Sequence, residues 1–213
     1  MSPTFPPRRP PRLAPPEHAR KRTLFAAAQA AAFAAPAFAA DAFTFDAGHT
    51  YIGFEIDHLG FSQTFGEFTK YDGTLKLDRA NLANSSVEVT IDTASIDTDQ
   101  PDFDEHLRSA DFFNVAAHPT MTFKSTKVED AGNGALKVTG DFTMLGQTRP
   151  VVLDVKLNKI APHPFRPTIE VAGFSATTTI DRRQWGFDKY APAVGAEVKI
   201  RIETEFNREL PKS

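Results

Sequence analysis

ALKVTGDFTMLGQTRPVVLDVKLN, residues 135–158, decides the fold. In its first half Leu136, Val138, Phe142 and Met144 share one parity, and in its second half Val151, Leu153, Val155 and Leu157 share one face. Successive side chains on a strand point to opposite faces, so apolar residues at every second position mark a half-buried strand and not a helix. Gly146-Gln147-Thr148-Arg149 is all that separates the halves, and so short a link makes them an antiparallel hairpin.

The same period continues outward. Gly132-Asn133-Gly134 is a turn, preceded by a strand over residues 120–127 with Met121 and Phe123 on one face. Val87, Val89 and Ile91 alternate after the turn at residues 81–86, and Ile52, Phe54 and Ile56 alternate with Tyr51, Gly53, Glu55 and Asp57. Residues 58–66 read as a turn leading to a strand over 68–77, whose phase slips near Tyr71-Asp72-Gly73, as a bulge or barrel corner would require. Downstream, residues 162–167 read as a proline-interrupted loop, residues 168–180 as a long strand, and residues 197–206 as the last strand, with Val198, Ile200, Ile202 and Phe206 in alternation. Residues 182–195 read as irregular, and residues 95–119 break the pattern in a different way. Asp99, Pro101 and Asp102 look like a helix start, and Phe103, Leu107 and Ala110 keep helical spacing, which predicts a short helical insertion around residues 101–114. Without any repeat of 20–50 residues, a propeller or solenoid is excluded. The expectation is an all-β fold, an antiparallel barrel of eight strands with one helical insertion, a size able to enclose one small ligand.

The first 39 residues read differently. Arg20, Lys21 and Arg22 precede an apolar run from Leu24 to Phe38 that ends in Ala37-Phe38-Ala39, the pattern of a secretory signal peptide cleaved near Ala39. Gln29 and Pro36 interrupt the run, which falls short of the ~18–20 apolar residues of a membrane span. Residues 1–39 are therefore expected to be signal and unstructured extension, residues 40–213 the single folded domain, and the destination the periplasm. Six of the 24 Lys/Arg and one of the 27 Asp/Glu lie before residue 40, so 18 basic and 26 acidic groups remain, a net charge of −8. Such a domain is a poor partner for nucleic acid or an anionic surface. The chain has no cysteine, so in an oxidising compartment its core must hold it without disulfides. Of its 19 phenylalanines four (Phe5, Phe25, Phe33, Phe38) precede residue 40, leaving fifteen to form either a solid core or the wall of a cavity.

No catalytic or metal motif stands out. His49, His58, His106, His118 and His163 form no close-spaced metal pair, and there is no G-x-S-x-G elbow. Asp97, Asp99, Asp102, Asp104, Glu105 and Asp111 lack calcium-loop spacing and read as a solvated helix face with capping aspartates. Neither a cofactor, a resident metal nor a catalytic residue is expected.

Several segments together resemble a known family. Ser95-Ile96-Asp97-Thr98, the run Phe103 to Phe113, and His118-Pro119-Thr120-Met121-Thr122-Phe123 resemble the YceI family. So do His49, Phe54, His58, Gly66-Glu67-Phe68 and Gly73 near the start, Gly140 to Gly146 with Pro150-Val151 in the middle, and Gly173-Phe174, Asp181-Arg182 and Trp185-Gly186-Phe187 late in the chain. The resemblance covers residues 43–206. It implies a lipocalin-like barrel around a long apolar pocket for a polyisoprenoid or similar amphiphilic chain, including isoprenoid quinones, in a periplasmic protein without established catalysis. One departure is local: where the family commonly reads Arg-Ser-x-Phe-Gly, this chain has Arg182-Arg183-Gln184-Trp185-Gly186.

Parity and resemblance together nominate Phe54, Ile56, Phe68, Val89, Ile91, Phe112 and Phe113 as cavity wall, with Phe123, Phe142, Met144, Phe174, Trp185, Ile200 and Ile202. His58, Arg182 and Arg183 are the candidates for the ligand's head group, the two arginines because guanidinium pairs with phosphate. The expected partner is the amphiphilic lipid, with a transient membrane contact and a homodimer as further expectations. Two alternatives stay open: a solid barrel acting as an interaction scaffold, which predicts no void of lipid dimensions, and a hydrolase or isomerase using His58.

Overall fold

Inward residues of the deciding hairpin are buried or half-buried, as the alternation demands. The computed structural model describes Met1 and residues 40–211; the expectations for the leader lie outside the described residues. Leu136, Val138, Gly140 and Met144 are buried on β7 (Ala135–Met144), and β8 (Gln147–His163) pairs with it so that Leu136 faces Val155 and Val138 faces Leu153.

Eight strands close the barrel. β1 (Asp41–His58), β3 (Tyr71–Leu77), β4 (Ser86–Asp92), β6 (Thr120–Gly132), β7, β8, β9 (Arg166–Asp181) and β10 (Val194–Glu209) follow one another around the ring, and β10 pairs with β1 to complete it. Every pairing is antiparallel. β1 is 18 residues long because it serves three neighbours: β3 along residues 41–44, β2 (Ser62–Phe68) along residues 52–58, and β10 over most of its length. β2 and the two-residue β5 (Ile96–Asp97) extend the sheet beyond the ring at one end.

Three local expectations are corrected. The phase slip is not a bulge inside one strand. The chain breaks at Thr69-Lys70 into β2 and β3, and Gly73 lets β4 approach, since a Cβ there would lie 2.5 Å from the Glu88 carbonyl oxygen. The proline-rich stretch is not a loop: β8 runs to His163 and β9 resumes at Arg166, because β8 is an edge beyond Lys156, where prolines are tolerated. Helix α1 spans Pro101–Arg108, with Pro101 in its first turn, and stops short of residue 114. Beyond Ser109 the chain folds back, with the Phe113 N–H on the Leu107 carbonyl and Asn114 in the left-handed region at φ 45°.

Two apolar clusters fill the interior. The smaller, around Phe43, Leu75, Leu77, Ala172, Phe174 and Phe206, seals the end where β1 starts and β10 finishes. Outside it Glu170 accepts from Arg79 Nη1 at 2.9 Å and from Arg208 Nη2 at 2.7 Å, while Asp41 pairs with the same two arginines. Both guanidinium groups lie over the Phe43 ring.

Candidate functional site

A cavity of about 660 Å³ runs through the barrel, within the ~300–1,000 Å³ usual for ligand pockets. Inward-facing residues of nine strands, the eight of the ring and β2, line it. Phe54 and Ile56 come from β1, Phe68 from β2, Val89 and Ile91 from β4, Phe123 from β6, Phe142 and Met144 from β7, Phe174 from β9, and Ile200 and Ile202 from β10. Phe112 and Phe113 reach it from the turns after α1. Thirteen of the fourteen nominated wall residues thus surround one space. Glycine helps to shape it: a Cβ at Gly66 would meet the Phe54 ring at 2.5 Å, so that ring lies over bare backbone.

One end is open and polar at its edge. Of the lining residues, the exposed ones are His58, Gln100, His106 and Tyr190, all at the end carrying α1 and the β9–β10 connection. An aromatic cap stands beside them. Phe113 packs edge-on against Phe68 (5.7 Å) and Phe187 (4.9 Å), and Phe112 against Phe187 (5.6 Å). Two connections, the first of them buried, hold α1 in place. Asp104 Oδ1 accepts from the Thr98 N–H at 2.8 Å and from its hydroxyl at 2.6 Å, and Arg108 donates to the carbonyls of Ala94 and Ile96. Asp104 is therefore a tether and not part of a solvated face, and Gln100, not an aspartate, occupies the helix cap.

The remaining nominees have other roles. Trp185 is 1% exposed but does not line the cavity; it packs outside the wall, edge-on to Phe142, and donates its indole N–H to the Phe142 carbonyl at 3.2 Å. Arg182 borders the cavity but its guanidinium donates to the carbonyls of Phe187, Lys189, Val194 and Gly195, binding the β9–β10 connection together. Arg183 lies outside the cavity, paired with Asp181 at 2.6 Å. His58 alone of the three head-group candidates stands at the rim with its side chain exposed. Sequence reasoning missed Gln100, His106, Lys189 and Tyr190 at the same rim. They come from a helix and an irregular loop, where no strand parity marks which way a side chain faces.

Away from the cavity, Asp46, His49 and Glu205 bring ligand atoms within 4.8 Å of one another. Asp46 pairs with Glu205 across β1–β10, and β1 then loses register until Tyr51, which returns His49 Nδ1 to 3.1 Å from Asp46 Oδ2. Burial pushes the Asp46 carboxyl up, but hydrogen bonds from His49 and Asn207 hold it below the usual 3.8. These three are the described residues able to hold a metal ion. The Asp46-x-x-His49 spacing was the one signal for them in the sequence.

A YceI-like domain model matches residues 43–206. A UPF0312 protein of Vibrio cholerae is 39% identical over 155 residues, covering 73% of this chain and 81% of the relative. Among solved structures, a YceI protein of Campylobacter jejuni superposes with a TM-score of 0.65 at 31% identity, over 72% of this chain and 90% of that one. A polyisoprenoid binding domain from Saccharophagus degradans, implicated in plant cell wall breakdown, shares the fold with a TM-score of 0.55 at 13% identity, over 79% of this chain and 98% of that one.

Proposed function

The chain belongs to the YceI family, and from that premise we propose that it is an exported binding protein that holds a polyisoprenoid or similar amphiphilic chain in its barrel, for carriage or sequestration. The observation that carries this reading is the cavity itself, about 660 Å³ lined by aromatic and aliphatic side chains and reaching solvent at a rim of His58, Gln100, His106 and Tyr190. Each methylene withdrawn from water is worth ~0.8 kcal/mol, so an apolar tube provides affinity without any charged contact. The rim offers hydrogen-bonding groups for a head, with Lys189 among them paired to Asp111. A solid-barrel scaffold would need no such void. The name of the Saccharophagus degradans domain points the same way.

The test is native mass spectrometry of protein purified from the periplasm, followed by solvent extraction. A one-to-one adduct that extracts as a prenyl lipid is the expected result. Phe142→Ala with Phe174→Ala removes two wall rings and should weaken uptake by about tenfold or more. A bare polypeptide that takes up no isoprenoid lipid would refute the reading.

A further inference from the structure

The turn between β1 and β2 displays apolar side chains to solvent at the cavity's open end. Phe61 is 88% exposed, Phe65 60% and Leu59 47%, and Tyr190 at the cavity rim is 56% exposed. From His58 to Gly66 the chain carries no Asp, Glu, Lys or Arg, although 24% of the whole sequence is charged. Contiguous exposed apolar groups at a functional opening mark a contact surface.

Backbone geometry supports this. Leu59 sits in the left-handed region at φ 57°, next to Gly60 at φ 74°, and the Phe61 N–H closes the turn on the His58 carbonyl at 3.0 Å. Glycine or asparagine occupies such a position more easily than a branched aliphatic residue. Leu59 is therefore not the residue the turn geometry favours, and it belongs to neither core cluster.

The hairpin also joins the tip to the cavity. His58 and Thr64 line the cavity on one face of the β1–β2 pair, while Phe65 points outward from the same strand. The tip therefore stands at one side of the opening through which a bound chain would leave.

We propose that the β1–β2 tip, Leu59, Phe61 and Phe65, inserts into the interfacial layer of a lipid bilayer and sets the cavity mouth against the membrane. An uncharged tip on an acidic protein fits a zwitterionic surface, entered through its apolar side chains and not by counterion attraction. Aromatic rings suit that interface. The docking stands by itself; its use, exchange of an amphiphilic chain with the bilayer, rests on the reading above.

Flotation with phosphatidylcholine vesicles tests it. The wild-type protein should float with the vesicles at low and high salt, and Phe61→Ser and Leu59→Ser should each weaken the association by about tenfold. In parallel, prenyl-lipid uptake from detergent micelles should be the same for both variants as for wild type, whereas uptake from vesicles should slow by about the factor seen in flotation. Wild type that stays out of the vesicle fraction, or variants that float as well as wild type, would overturn the proposal while leaving micelle uptake to report on the cavity. A dimer in sedimentation that Phe61→Ser converts to monomer would overturn it too, by making the tip a contact between copies.

Discussion

Glu170 carries an unusual share of order for one side chain. It is 7% exposed, sits between Arg79 and Arg208, and links β9 to β10 and to the β3–β4 connection at the sealed end. Hydrogen bonds from Arg79, aided by Arg208 and opposed by burial, hold its carboxyl below the usual 4.5. A folded-state pKa below the unfolded value gives stability that is present above about pH 4.5 and lost as pH falls through the folded pKa. Glu170→Gln should therefore destabilise the protein by about 1–3 kcal/mol at pH 7, since both arginines keep Asp41 as a partner. In urea denaturation the gap between wild type and variant should narrow steadily below pH 4.5; an unchanged gap at pH 3 would contradict the assignment. Arg182 makes the complementary point. A guanidinium in a loop of mixed charge looks available to a phosphate, yet its four carbonyl acceptors make it a structural hub.

Among elements, α1 is the short insertion that turns a barrel end into a capped mouth. Its tether is Asp104 on Thr98, and removing the carboxylate leaves a buried N–H and hydroxyl without their acceptor. Asp104→Ala should cost about 1–3 kcal/mol and should speed amide exchange across residues 98–115 ahead of the barrel strands, read by hydrogen–deuterium exchange. Uniform acceleration over the whole chain would mean that α1 does not open as a unit. The strands were legible because half-buried sheet writes a period of two into the sequence, and residues 135–158 carry it almost without interruption. The helix was legible only in part: Phe103, Leu107 and Ala110 keep its spacing past the point where hydrogen bonding ends, since the turns that follow bury Phe112 and Phe113 against the same neighbours. Trp185 was misread for a related reason. A lone tryptophan among aromatics suits a cavity mouth, but the Phe142 carbonyl that satisfies its indole belongs to a strand 43 residues away, which no local pattern reveals.

At the scale of the molecule, the void is the property that separates a carrier from a packed barrel. Ala176 faces inward on β9, paired with Ile202 and Val155 in register, and borders the cavity. Ala176→Phe should turn a ring into the cavity, costing no more than about 1–3 kcal/mol of stability while weakening prenyl-lipid binding by about tenfold or more. Thermal unfolding and lipid titration on the same sample check both halves. Strong destabilisation with binding intact would show that the ring does not enter the cavity.

The pairing of β1 with β10, from Thr44 opposite Asn207 to His58 opposite Val194, also sets the order of events during maturation. The first strand finds its long neighbour only when the last has arrived, so the ring cannot shut around a partly delivered chain. Contacts this distant in sequence form slowly. Until they form, β1 and β10 each present an unsatisfied edge that invites pairing with other molecules. Loss of β10 as a whole would thus leave a sticky open ribbon, and the growing chain stays exposed to such pairing until that strand has arrived.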